Sequence, residues 1–451
     1  MKLSCRYAIA VPLCAAISLG GCAAYHKTPL NLGPQLKSSL SALHHGLPGN
    51  GLIPSTLPLT TQSVAALAVL NNPALIAIRE QRGVAQAELL NAGLLPDPVI
   101  SGGFAALMSG PANASAISGS LTQDLSALIT YSVDVRAARA GAAQVDAAIL
   151  WQEWQVASQA EQLCIAIDGD RQTVGLLLAD RQALAAVNTS TSNSVAAGNL
   201  TIAASSSSLA ALAATDTALN TAQQTLAQDK AQLDALLGLQ PWVEIPVANP
   251  DVPPIDPSAA DAAIASLGTR RPDLIALRYG YAQADAKLRA AILTQFLPVS
   301  ISANGGSDTT NVVSIGPAVT LTLPLFNRNR GGIAIAAATR AQLAAQFEAG
   351  MADAQGGAAA LLARSRLLQN QSAAANKRAD DANLIATQGQ SAFANGSLDA
   401  LSAVNLQTAS ADRRREAIAL RVQLLTARLS LATLLGIGLP PIAAPDPEFT
   451  R

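Results

Sequence analysis

Ala196-Ala197-Gly198-Asn199-Leu200 and its echo Ala394-Asn395-Gly396-Ser397-Leu398 decide how this chain folds. Each lies inside a long proline-free tract, and each has a second glycine 40 residues after its own, in Leu236-Leu237-Gly238 and Leu434-Leu435-Gly436. Outward from these glycines, more pairs fall into register. Leu121-Thr122 with Leu125 matches Leu321-Thr322 with Leu325, and Leu95-Pro96 matches Leu297-Pro298. Asn72-Pro73-Ala74-Leu75 matches Arg271-Pro272-Asp273-Leu274. The offset stays near 200 residues, far longer than a solenoid period. The chain is one unit written twice.

Composition says what the unit is made of. Half the residues are hydrophobic but only 3% are aromatic, so Ala and Leu carry the count. Such a chain suits long helices lying close together, since Ala combines high helix propensity with a small side chain. No proline occurs between Pro111 and Pro241 or between Pro324 and Pro440, whereas 241–257 and 23–58 are proline-rich seams. Each half reads as helix, strand pair, very long helix, tight turn and shorter helix. The leading helix of the first half covers 61–94 with a break at Asn72-Pro73, because the residue before a proline avoids the helical region. In the second half Ser258 and Asp261 have the spacing of a capping box. The long helices cover 129–197 and 331–395, each about 100 Å at 1.5 Å per residue. The helices after the turns, 201–237 and 399–435, reach about 55 Å, and a leading helix adds about 50 Å. One long rod can therefore lie against two shorter rods stacked end to end.

Between Asp97 and Asp124 there is no charged residue. Runs 99–107 and 116–125 have strand length and flank a turn cluster at 109–113; runs 299–305 and 312–325 flank Gly305-Gly306-Ser307-Asp308. A membrane-crossing strand needs about 9–11 residues, and these fit. Alternation is partial, as in Thr320-Leu321-Thr322-Leu323. Four strands cannot close a barrel, but three copies donating four each make twelve. The alternative is a pair of water-soluble hairpins packed on the helices.

The domain reading is then a leader at 1–21, an N-terminal linker at 22–58, a first repeat at 59–240 with strands inside 98–125, and a connector at 241–257. A second repeat follows at 258–438 with strands inside 298–325, and a tail at 439–451 ends the chain. Lys2 and Arg6 precede an apolar stretch too short to span a bilayer, ending in Leu19-Gly20-Gly21-Cys22. This resembles a bacterial lipobox, in which Cys22 is acylated and becomes the first mature residue; an ordinary signal peptide is the alternative. Several acyl chains anchor a protein stably where one does not. Ala23 after the cysteine resembles lipoproteins sorted to the outer membrane. Cys5 and Cys14 leave with the leader, so Cys164 is the one ordinary thiol and no intrachain disulfide forms.

The same inventory argues against an enzyme. The three histidines, His26, His44 and His45, all lie in the linker, and a flexible pair lacks the further ligands of a defined metal site. No nucleotide-binding glycine fingerprint is present. Net charge is −1 with both signs interspersed, which is no nucleic-acid footprint. No cofactor is expected beyond the lipid on Cys22.

Together these features resemble the TolC family of outer-membrane factors, over nearly all of 58–440. The stretch from Leu323-Pro324-Leu325-Phe326 through Asn327-Arg328-Asn329-Arg330-Gly331 is similar to the strand-to-helix turn of its heavy-metal-efflux, CzcC-like branch. The resemblance implies a mainly helical protein with a transmembrane β region: a homotrimer whose twelve-stranded barrel in the outer membrane continues as a twelve-helix periplasmic tunnel. It implies a passive exit duct for small solutes, heavy-metal cations among them by branch, working with a periplasmic adaptor and an inner-membrane transporter. Gly198, Asn199, Leu200, Gly396, Ser397 and Leu398 would form the adaptor-facing tip. Asn327, Arg328, Asn329 and Arg330 would orient the barrel–tunnel junction or line the lumen. Relatives narrow the tip with aspartates six and nine residues after the second glycine. This sequence has Ser402 and Asn405 there, so the candidate aperture acid is Asp399, which equally suits the start of a helix. Two other readings share parts of the pattern: the outlet of a type I protein-secretion system, and a lipid-tethered periplasmic helical scaffold.

Overall fold

The computed structural model describes residues 25–33, 35–47, 51–53, 57–110, 114–296 and 299–439. The leader, Cys22 and residues 440–451 therefore lie outside the described residues. Residues 1–36 and 37–451 form separate units. In the first, the Asn31 Oδ1 accepts from the Gly33 amide at 3.0 Å, and the Gln35 Nε2 donates to the Gly33 carbonyl at 2.8 Å.

The second unit repeats one plan. In the first half, α1 (Thr61–Asn71) and α2 (Pro73–Ala92) lead to strands β1 (Val99–Ala105) and β2 (Ala116–Asp124), then to the 71-residue α3 (Ser126–Ala196) and to α4 (Ile202–Leu236). The second half has α5 (Pro257–Ala265), α6 (Leu267–Arg270), α7 (Pro272–Leu293), β3 (Val299–Ser307), β4 (Val313–Leu321), the 65-residue α8 (Arg330–Ala394) and α9 (Ala400–Leu435). At 1.5 Å per residue α3 runs about 105 Å and α8 about 100 Å. The α3 rod packs against α1, α2 and α4 on one side and against α7 and α9 on the other; α8 packs against α7 and α9. Two long rods thus alternate with two stacked ones.

Local chemistry sets the boundaries. Asn72 caps α2 by accepting from the Leu75 amide at 3.0 Å, Pro73 takes the first helical position, and the chain bends by 52° there. The Asn72 Nδ2 also donates to the Leu236 carbonyl at 2.9 Å, pinning the break to the end of α4. In the second half the cap is Asp256 rather than Ser258: Pro257, whose φ suits the first helical position, moves the start upstream. All four framework glycines end helices in the left-handed region, with φ of 76°, 69°, 72° and 64° at Gly198, Gly238, Gly396 and Gly436. After each, the next amide reaches back five residues: Asn199 to Ser194, Leu239 to Asp234, Ser397 to Ala392 and Ile437 to Ala432. This is the Schellman closure, made four times.

The apolar core is concentrated where the stacked rods meet. Val64, Leu67, Leu163, Leu233, Leu237 and Leu239 bury one cluster at the first seam, and Leu267, Leu274, Ala354, Leu431 and Leu435 another at the second. Along the shafts contact depends on missing side chains. A Cβ on Gly141 would strike Gln283, and one on Gly280 would lie 3.2 Å from Gln144, so α3 and α7 pack by a reciprocal glycine–glutamine fit.

The four strands form one antiparallel sheet in the order β1-β2-β3-β4. The two hairpins are therefore joined, Ile117 opposite Ser307 and Leu121 opposite Ala303. Gly306 and Ser307, expected in the loop, continue β3; the loop is Asp308 to Val312, closed by three donors on the Asp308 carboxylate. A Cβ on Gly306 would strike the Ile117 carbonyl, so glycine is needed there for β2 and β3 to approach.

Candidate functional site

Register divides the sheet into two unlike faces. Strand alternation and cross-strand pairing place Ile100, Phe104, Ile117, Leu121, Ile301, Ile315, Val319 and Leu321 on one side. Ile315 is 88% exposed, and none of these side chains is buried. The other side carries Ser101, Ser118, Ser120, Thr122, Ser300, Ser302, Asn304, Ser314 and Thr320 with Gly103, Gly306 and Gly316 between them. The Ser101 and Ser120 hydroxyls meet across the strands at 2.8 Å. A sheet with one large-apolar face, interrupted by Gln123 and Ser307, and a small, largely polar opposite face, Val99 apart, suits hydrocarbon on one side and water on the other. Partial alternation in the sequence becomes a nearly complete division once the strands are paired. Both outer strands, β1 and β4, keep an unpaired edge.

Below the sheet, exposed Leu94, Leu95, Leu128, Phe296, Leu323, Leu325 and Phe326 gather at the ends of strands and the starts of helices, Phe326 being 95% exposed. The Asn327 to Arg330 turn belongs here. Arg328 and Asn329 take φ of 48° and 52°, and Asn329 occupies the cap position of α8. Its Nδ2 donates to the Ala291 carbonyl at 2.8 Å and the Thr294 hydroxyl at 2.6 Å, tying the start of α8 to the end of α7. The Arg330 amide donates to the Asn327 carbonyl at 3.0 Å. Arg328 and Arg330 are exposed.

At the opposite end lie the two turns around Gly198 and Gly396. Leu200 is exposed with Ile202, Leu209 and Leu401, whereas Leu398 is half-buried. Asp399 caps α9: its carboxylate accepts from the Ser402 amide at 2.9 Å and the Ser402 hydroxyl at 2.7 Å. The Ser402 hydroxyl bond and then its amide hold the Asp399 carboxyl below the usual carboxylate range. Asn405 is exposed one turn further along the same face. Sequence reasoning missed Asp180, a buried carboxylate on α3 18 residues before Gly198. It accepts from the Gln407 amide group of α9 at 2.8 Å and the Thr215 hydroxyl of α4 at 3.2 Å. Burial pushes its carboxyl up, against the pull of those two donors. The signal was one acid on an otherwise apolar face of a long helix, which becomes legible only when both partners are known. Asp180 and Arg414 line a polar crevice of about 390 Å³ between α3, α8 and α9.

No family model matches the sequence, and no curated protein is similar to it by sequence. The fold is nonetheless shared with solved structures. The outer membrane protein VceC from Vibrio cholerae is 17% identical with a TM-score of 0.71, the likeness covering 84% of this chain and 97% of that one. The outer-membrane channel OprN is 15% identical with a TM-score of 0.72, covering 84% and 90%. The open-state MtrE outer membrane channel of Neisseria gonorrhoeae is 16% identical with a TM-score of 0.65, covering 84% and 90%. This chain has the fold of outer-membrane channels.

Proposed function

We propose that this chain is the outer-membrane exit duct of a tripartite efflux pump. Three copies would pair β4 of one with β1 of the next, closing twelve strands and removing every sheet edge from lipid. The observation that carries this reading is the division of the sheet: large apolar side chains dominate one face, Gln123 and Ser307 excepted, and hydroxyls, Asn304 and glycine dominate the other, Val99 excepted. Strands of seven to nine residues at about 3.3 Å per residue, tilted as barrel strands are, give a band about 16–24 Å tall, near the apolar band of such barrels. The collar around Phe296 and Phe326 would sit at its periplasmic boundary, and the Asn327–Arg330 turn would orient barrel against tunnel. A lipid on Cys22 would add an anchor in the same leaflet.

The rods then form the periplasmic tunnel. Gly198, Asn199, Leu200, Gly396, Ser397 and Leu398 would meet the adaptor at its tip, with exposed Leu200, Ile202, Leu209 and Leu401 as the apolar contact. Asp180, gripping α4 and α9 from α3, would hold the two hairpins of one copy together near that end. Asp399, Ser402 and Asn405 would line the aperture, and the carboxylate stays ionised because its cap favours the charged form. Small solutes would pass without chemistry, driven by an inner-membrane transporter. Heavy-metal cations as cargo rest on the branch resemblance of residues 323–331.

The mature protein, extracted from outer membranes in mild detergent, is expected to run as a heat-sensitive trimer and to conduct in planar bilayers. A monomer released by lipase treatment alone, and silent in bilayers, would leave a tethered helical scaffold in place of the duct.

A further inference from the structure

The connector carries one side chain that folding does not explain. Trp242, one of three tryptophans, is 72% exposed and has a φ of 75°. Pro241 precedes it, so Gln240 to Val243 places proline second in the turn and Trp242 third, the slot that positive φ reserves for glycine. A bulky aromatic in the left-handed region is strained, and it persists only where the surroundings hold it. The holding group is Asp234 of α4, 2% exposed, whose Oδ2 accepts from the Trp242 amide at 3.0 Å. At the same register after Gly436 the second repeat has Pro440, so the duplicated plan does not call for an aromatic.

Trp242 lines an open surface groove of about 580 Å³ with Leu40, Pro241 and Val243, and the polar lining is Ser38, Ser39, Ser41, Gln240 and Glu244. Two backbone bonds strap its serine wall to the connector: the Lys37 amide to the Gly238 carbonyl at 2.9 Å, and the Gln240 amide to the Lys37 carbonyl at 2.8 Å. Glu244 is paired with Lys230 at 3.1 Å, so no isolated charge dominates. An aromatic plate edged by hydroxyls and an amide suits a sugar ring. The C–H face of a pyranose packs on the indole, and its hydroxyls exchange hydrogen bonds with serine, glutamine and glutamate. A peptide would instead need an open strand edge or apolar pockets, and a nucleic acid a track of cations.

The groove lies at the foot of α4, and the 11 and 20 residues of α1 and α2 separate that level from the strands by roughly 30–45 Å. We infer that the groove binds glycan, namely a β-linked N-acetylated amino-sugar strand of the cell wall, with Trp242 as its stacking platform. The choice of the wall rests on the duct reading, which sets this level in the periplasm; the sugar chemistry does not.

The test compares the full chain in detergent with Trp242→Gly. Glycine fits the left-handed slot without strain, so this variant is expected to melt no lower than wild type. Wild type should sediment with purified sacculi and bind chitohexaose by titration calorimetry. Trp242→Gly should weaken both by about tenfold or more, equivalent to ~1.4 kcal/mol of lost stacking. Equal binding by the two proteins overturns the inference. So does loss of the oligomer in Trp242→Gly, which would mean that another copy covers the indole. Binding of chitohexaose without binding to sacculi overturns the wall as ligand. A protein that never conducts yet holds sacculi through Trp242 sinks the duct and leaves the sugar site standing.

Discussion

Leu121 and Ser120 are neighbours in the middle of β2, and they point to opposite faces of the sheet. Leu121 lies between Ile100 and Ala303 on the apolar face, while Ser120 lies between Ser101 and Asn304 on the polar one. If the apolar face meets lipid, Leu121→Arg puts a cation in hydrocarbon near the midplane, at about 2–4 kcal/mol per copy. Ser120→Arg loses one exposed hydroxyl bond, worth about 0.5–1.5 kcal/mol, and leaves its charge in water. A gap of roughly 2 kcal/mol is about thirtyfold in the folded-to-unfolded ratio. Urea titration of protein folded into lipid vesicles reads this gap as a shift in midpoint at constant slope. In the water-soluble alternative Leu121 is an exposed surface residue whose substitution falls within about 0.5 kcal/mol of zero, while Ser120→Arg still loses its hydroxyl bond. Equal midpoints for the two variants, or a costlier Ser120→Arg, would refute the facial assignment.

Four further outcomes follow from particular contacts. Gly169→Ala drives a methyl into Val422, whose branched side chain cannot swing away, and should cost about 1–3 kcal/mol by thermal melting. Gly141→Ala meets only the flexible end of Gln283 and should be near neutral, since alanine gains up to ~1 kcal/mol of helix propensity. Asp170 is raised to about 6, first by burial and then by the neighbouring Asp229 carboxylate. The native state therefore holds this proton more tightly than the unfolded chain, and stability should fall as pH rises from about 4 through 6. Asp170→Asn should raise the melting temperature more at pH 7 than at pH 4; the same gain at both would remove the pair from the account. Asp399→Asn keeps the cap but removes the charge, so it should shift the cation-to-anion preference of single channels while melting within ~0.5 kcal/mol of wild type. An unchanged preference would leave Asp399 as a cap alone.

Much of this architecture is written locally. The breaks at Asn72-Pro73 and Arg271-Pro272 and the turns at Gly198 and Gly396 could be read directly, because proline and glycine act through their own backbone. Helix ends fell within a few residues of expectation for the same reason. The cap at Asp256 and the continuation of β3 through Gly306-Ser307 depart from that local reading. In the first, a proline's preorganised φ outweighed a capping-box spacing. In the second, Gly306, which looks like part of a turn, is there because β2 must approach.

By itself, then, the sequence determined the duplicated unit, its rods and its turns, since a helix and its stop signals depend on residues within one or two turns of each other. Only the tertiary structure decided which side of the sheet is apolar, that Asp180 ties together α3, α4 and α9, and that Trp242 stands exposed in a glycine's place. Those features join residues up to 227 positions apart, as in Asp180 and Gln407. A strand's two faces acquire meaning only through its partner's register, and a buried carboxylate only through the donors that other helices bring to it.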